Sequence, residues 1–309
     1  MQNLFLPIYN NLEKEVIKLS ENIHFDDNQL NVYSIKIAEL LIRIVIEIET
    51  LSKELYFKNG GQVKYKTDGT EDFIYFDTDC INHLESMWVL SKKEVLISAT
   101  NFYFIKTENN ILTPLNKANK RGSSSADWAK AYQAVKHDRS KNLQKASIKN
   151  LIRALAALYL LNIYNRNDKD VLNETKNNDL SFGSNIFSVT KQMMTKIYYN
   201  QDTKEKAKES FVCVEKYPEE TYRQIIHAAK EDDKIHKDFF EKSPEVIAFF
   251  SNNPTYSLKN KSFTEICTEI GGTEFLSRIV NSSHKSANLM VKSSREIVLN
   301  KNQQIYPTI

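Results

Sequence analysis

Residues 151–164 read LIRALAALYLLNIY, and apolar side chains occupy nearly every face of a helix drawn through them. Such a helix has no face to give to water, so it belongs at the centre of a bundle with other helices around it. It is too short to cross a bilayer, and it carries Arg153. Seven Gly and six Pro in 309 residues are too few for an all-β chain full of tight turns. The fold class predicted is mainly α.

Other segments agree. Leu6, Ile8, Leu12, Val16, Ile17 and Leu19 recur at near-helical spacing over 6–22. A longer helix is predicted over 34–57, with Arg43 one turn from Glu39 and one turn from Glu47. Asn59-Gly60-Gly61 ends it. A helix is also predicted over 79–89. Residues 94–113 are rich in β-branched and aromatic side chains, with Thr107–Asn110 in the middle, and are predicted as a small β-hairpin insertion. Ser124 with Asp127 resembles a capping box that starts a helix near Ser125. On that helix Trp128, Ala131, Tyr132 and Val135 form a core face, and Lys130, Gln133 and His137 a polar one. The next helix is predicted over 143–164. Residues 166–186, polar and rich in Asn and Asp, read as a linker or long loop. Helical patterns follow near 187–199, 203–210, 218–230, 231–251 and 272–299, with Pro218 at a helix start. The organisation predicted is a helical domain over 1–165 with its β insertion, the linker, and a C-terminal helical region over 187–309.

The net charge of +3 gives no reason to expect nucleic-acid binding, but its distribution does. Ten basic residues stand between Lys117 and Arg153, opposed by only Asp127 and Asp138. That density suits a phosphate-contacting surface as well as a solvated helix face. Gly-rich phosphate loops, HExxH and Cys/His clusters are all missing. His227, Glu231 and His236 have poor metal-ligand spacing, and Asp77 and Asp79 lack the neighbours of a metal-dependent nuclease. No metal and no cofactor are expected. Three scattered Cys fit a reducing compartment. No apolar run reaches membrane length, and MQNLFLPIYNNLEKE is not a secretion signal, so a cytoplasmic microbial protein is expected.

His137 is the chemically pointed residue. Lys136 precedes it and Arg139 follows, and nearby cations should lower its pKa. A neutral His beside an Arg can move a proton while the cation steadies developing charge. On RNA this would activate a ribose 2′-OH against its own phosphate, without a metal, leaving a cyclic phosphate. A charged helix end is the plain alternative.

The stretch AYQAVKHDRSKNLQKASIKNLIRALAAL resembles the last two helices of a HEPN-like (higher eukaryotes and prokaryotes nucleotide-binding) domain. SIKIAELLIRIVIEIETLSKELY, with Arg43 and Glu47 as its polar marks, resembles an earlier long helix of that family. The resemblance covers about residues 30–165, interrupted by the hairpin. It implies a HEPN-like helical bundle and a metal-independent endoribonuclease of a defence or toxin–antitoxin system, acting on RNA, working as a homodimer and met by a protein partner such as an antitoxin. His137 takes the position of the family's motif His. The family's Arg stands before that His, whereas here residues 130–133 hold no Arg and Arg139 follows it. The same resemblance therefore also admits an inactive module that binds RNA, nucleotide or protein. The candidate catalytic residues are His137 and Arg139. A second pair is Arg278 and His284, with the family spacing of five intervening residues. The candidate RNA-binding residues are Lys130, Lys136, Lys141 and Arg43.

Overall fold

The computed structural model describes residues 4–166, 179–193, 208–259 and 261–301. They divide into two compact units. The first holds 4–166, 179–193, 208–216 and 297–301; the second holds 217–259 and 261–296. The fold is mainly helical with small sheets.

In the first unit, helices α1 (Phe5–Ser20), α2 (Ile35–Lys58), α5 (Asp127–His137) and α7 (Ile148–Asn165) form a bundle. Every residue of α7 from Ala154 to Tyr164 is buried, as its composition demanded. Each large aliphatic side chain there is worth roughly 2–5 kcal/mol on truncation to Ala. Ser34 caps α2 by accepting the Ile37 N–H at 3.1 Å. Gly60, at φ +87°, provides the left-handed residue that ends it. Trp128, Ala131, Tyr132 and Val135 are buried as the spacing predicted. Glu13 of α1 is also buried. It accepts from the Tyr9 hydroxyl at 2.7 Å, from the Ser184 hydroxyl, and from the amides of Asn185 and Ile186 at 3.1 and 3.2 Å. That carboxylate fastens residues 184–186 to the bundle.

Several boundaries differ from the sequence reading. Ser124 does not cap α5, which starts at Asp127 with no side-chain cap. The long helix starts at Ile148 rather than 143, because the chain first makes the short α6 (Arg139–Asn142) and a tight turn at Leu143–Lys145. Asp138 starts α6 by accepting the Lys141 N–H at 3.2 Å. The segment 79–89 begins earlier, as a wide π-type turn at Phe76–Ile81, and runs into α3 (Asn82–Trp88).

The β insertion is not a plain hairpin. Strand β2 (Val95–Ile97) pairs antiparallel with β4 (Ile111–Leu112), but β3 (Phe102–Tyr103) leaves to pair parallel with β1 (Phe25–Asp26). Asp27 turns the chain between them, accepting the amides of Ile105 and Lys106 at 2.9 and 3.0 Å and the Asn109 side chain at 2.8 Å. The short α4 (Thr107–Asn110) follows.

Residues 187–193, expected as helix, are strands. β5 (Phe187–Val189) pairs antiparallel with β2, register Val95↔Val189, and β6 (Lys191–Met193) pairs parallel with β7 (Cys213–Lys216). The rest of the predicted helices at 187–199 and 203–210 lies outside the described residues, apart from 208–210, which are not helical. Of the predicted linker, 167–178 also lies outside them, whereas Phe182, Ser184 and Ile186 are buried in the first unit. Strand β8 (Glu296–Leu299), expected as the end of a helix, completes the order β6–β7–β8 and turns Ile297 and Leu299 inward. Lys93 is fully buried, its ammonium donating to the carbonyls of Glu209 and Phe211 at 2.9 and 3.1 Å. Burial draws its pKa down to about 8.

The second unit contains α8 (Glu219–Lys242), α9 (Pro244–Asn252), α10 (Phe263–Asn281) and α11 (Lys285–Lys292). Val246, Cys267, Phe275 and Ile279 form a core there. Pro218 is the N-cap of α8, one residue before the first helical position expected for it. Among the described residues no helix is long and apolar enough to cross a membrane.

Candidate nucleic-acid interface

The polar face of α5 opens onto a cleft of about 710 Å³ in the first unit. Glu49 and Lys53 of α2 form one wall, and residues Phe73–Asp77 form another. The loop from Arg121 to Ser125, the α5 side chains Lys130, Gln133 and Lys136, and Lys145 complete it. Gly122, at φ +65°, lets that loop fold tightly against the cleft.

The aromatic wall is laid open. Phe73 and Tyr75 have ring centroids 4.6 Å apart and are 58% and 42% exposed, each with a cation over one face. The Arg121 guanidinium lies 3.7 Å from the Tyr75 ring centre and binds Asp77 through two hydrogen bonds of 3.0 and 2.6 Å. That pairing neutralises the buried acid of the wall and fixes the Arg plane. Lys53 sits 4.9 Å over the Phe73 ring. Lys136 lies over the Tyr132 ring at 5.1 Å, and the bond to the Tyr132 hydroxyl raises the pKa of its ammonium. Lys130 pairs with Asp127 at 2.8 Å and holds that carboxyl below its ordinary range. Five cations therefore ring the cleft against Glu49 and a compensated Asp77.

Of the predicted RNA-binding residues, Lys130 and Lys136 line this cleft. Arg43 does not: it binds Glu15 of α1 at 2.6 Å, a partner 28 residues away instead of Glu39 or Glu47 on its own helix. Lys141 pairs with Asp138 at 3.4 Å on the exposed α6 turn. His137 and Arg139 are both exposed, on either side of Asp138, and neither lines the cleft. The second pair is not brought together. Arg278 binds Glu245 at 2.5 Å, and His284 lies 3.1 Å from the Asn281 side-chain oxygen.

Asp232 organises the chain round His284. It accepts from the Ser283 hydroxyl, the amides of Lys285 and Ser286 at 3.0 and 2.9 Å, and the Ser286 hydroxyl at 2.7 Å. Burial acts to raise its pKa, but these hydrogen bonds outweigh it and hold the carboxyl at about 2. The stretch is a helix start. His236 bonds the Ser283 carbonyl at 3.1 Å, and Glu231 binds Lys285 at 2.9 Å, so two of the poorly spaced His227/Glu231/His236 trio are spent on structure. Among the described residues no three His, Cys, Asp or Glu side chains stand where they could hold a metal.

Sequence reasoning passed over Phe73, Tyr75 and Lys53. The aromatic run FIYF at 73–76 was the available signal, but nothing local tied it to α5. Comparison with protein-family models, curated proteins and solved structures returned no match for this chain.

Proposed function

We propose that the first unit is an RNA-binding module that takes single-stranded RNA in this cleft. One observation carries the reading: two exposed, neighbouring aromatic rings stand inside a ring of five cations. Stacking a base on such a ring is worth about 1–3 kcal/mol, and it needs bases that are not already paired in a duplex. Lysines around it neutralise phosphates and make binding fall with salt.

Binding is favoured over cleavage. A general base must reach the proton it removes at about 3 Å. His137 follows Lys136 in sequence yet is not part of the cleft wall. The lack of an Arg before it supports the same choice, and so does its exposed setting at the end of α5. In terms of the family resemblance, the reading is that of a HEPN-like module without the cleavage chemistry.

The test is fluorescence anisotropy with a labelled single-stranded RNA and its duplex, at 50–200 mM salt. Phe73→Ala should weaken single-strand binding about tenfold while the slope of affinity against salt stays the same. Equal affinity in Phe73→Ala and Tyr75→Ala would sink the reading. Incubating RNA with the protein in EDTA should leave it intact; cleavage abolished by His137→Ala would replace binding with catalysis.

A further inference from the structure

A second cavity, of about 330 Å³, adjoins the cleft and shares Ser123, Ser125 and Lys130 with it. Its character is the reverse of the first. The aromatic residue in its wall, Trp128, is buried and has its N–H spent on the Pro114 carbonyl at 2.9 Å. What it presents instead is hydroxyl and cationic: the two serines, Lys117, Lys130 and Arg153. Arg153 is set in place by donating to the Glu108 carbonyl and the Asn109 side-chain oxygen, both at 3.2 Å. Lys117 is exposed and held at φ +61°, a left-handed conformation that costs a lysine about 1 kcal/mol or more. Two acids, Glu108 and Asp127, share the cavity, and Asp127 is already paired with Lys130.

A cavity that offers no stacking face but several cations and hydroxyls suits a sugar–phosphate backbone better than a base. Resting on the RNA reading above, we infer that the ligand is an oligonucleotide rather than a single nucleotide. One base stacks in the aromatic cleft, and the strand crosses the Ser123–Ser125 loop beside Lys130. A further phosphate then lies in the second cavity against Lys117 and Arg153. Lys130 serves both cavities and is the crossing point.

The experiment uses the full chain and fluorescein-labelled oligouridylates of two and eight nucleotides. The substitution is Lys117→Asn, because asparagine tolerates the left-handed backbone while losing the charge. The octamer should bind wild type more than tenfold tighter than the dimer. Lys117→Asn should weaken octamer binding about three- to tenfold and reduce its log–log salt slope by about 0.7, with dimer binding unchanged. Phe73→Ala should weaken both. Equal affinity for dimer and octamer, or an octamer indifferent to Lys117→Asn while Phe73→Ala still acts, overturns this inference and leaves the RNA reading standing. Failure of wild type to bind either length overturns both. A thermal melt of Lys117→Asn matching wild type separates loss of contact from loss of fold.

Discussion

Two histidine-bearing stretches invite the same chemical reading and meet opposite fates. Arg278 to His284 has the better spacing, but each of its polar groups is taken by a neighbour: Arg278 by Glu245, His284 by Asn281, and the serines and amides around it by Asp232. Lys130 to Arg139 has the poorer spacing, but Lys130 and Lys136 line an aromatic cleft while each keeps only one local side-chain partner on its own helix, Asp127 and Tyr132. Spacing reports which groups can meet. What a group does depends on whether its bonding capacity is already used, and a helix start uses it quickly.

The largest effect should come from Asp232→Ala, which strips four hydrogen bonds from the start of α11 and should cost the second unit about 3 kcal/mol. Denaturant melts would show it, and RNA affinity should stay unchanged. A parallel loss of RNA affinity would mean the two stretches are not independent. Acid should produce the next effect. The Asp232 carboxyl sits at about 2 when folded and near its ordinary value when unfolded. Its contribution is present above about pH 4 and is lost as pH falls toward 2, amounting to about 2 kcal/mol. Asp232→Asn should flatten that part of the stability–pH curve.

Lys130→Ala with Lys136→Ala should weaken single-strand binding about tenfold and lower the salt slope by about 1.4. Arg278→Ala with His284→Ala should leave RNA affinity where it was. An effect of the second pair as large as that of the first would reverse the comparison. The smallest change is expected from His137→Ala, less than about twofold in RNA affinity, since the ring stands outside the cleft.

The buried centre of the first unit could be read from the chain alone because α7 states its own environment: a helix apolar all round has one place to go. The strands could not. β2 finds β5 about ninety residues downstream, and β5 is three residues long, too short to show a period of two. The site divides in the same way. Lys130 and Lys136 both belong to the basic run from Lys117 to Arg153, so local charge density pointed to them. Phe73, Tyr75 and Arg121 converge only through the tertiary pair of Asp77 and Arg121, 44 residues apart. Arg43 shows the converse error: a charge on a helix reads the same whether it faces a cleft or the Glu15 of a neighbouring helix.

The last described strand also bears on how the protein is made. Asn300 donates to the carbonyls of Lys208, Phe211 and Val212, and its own carbonyl takes the Tyr164 hydroxyl at 3.3 Å. The bundle begun by α1 is thus sealed by residues that leave the ribosome after the whole second unit. At ordinary rates of synthesis the edge of β7 waits on the order of ten seconds for β8. During that interval the nascent first unit carries an unpaired strand edge next to its core, the feature that chaperones and neighbouring chains recognise. The order of synthesis therefore makes completion of the first unit wait for the second, and its yield should depend on how fast the ribosome crosses residues 217–296.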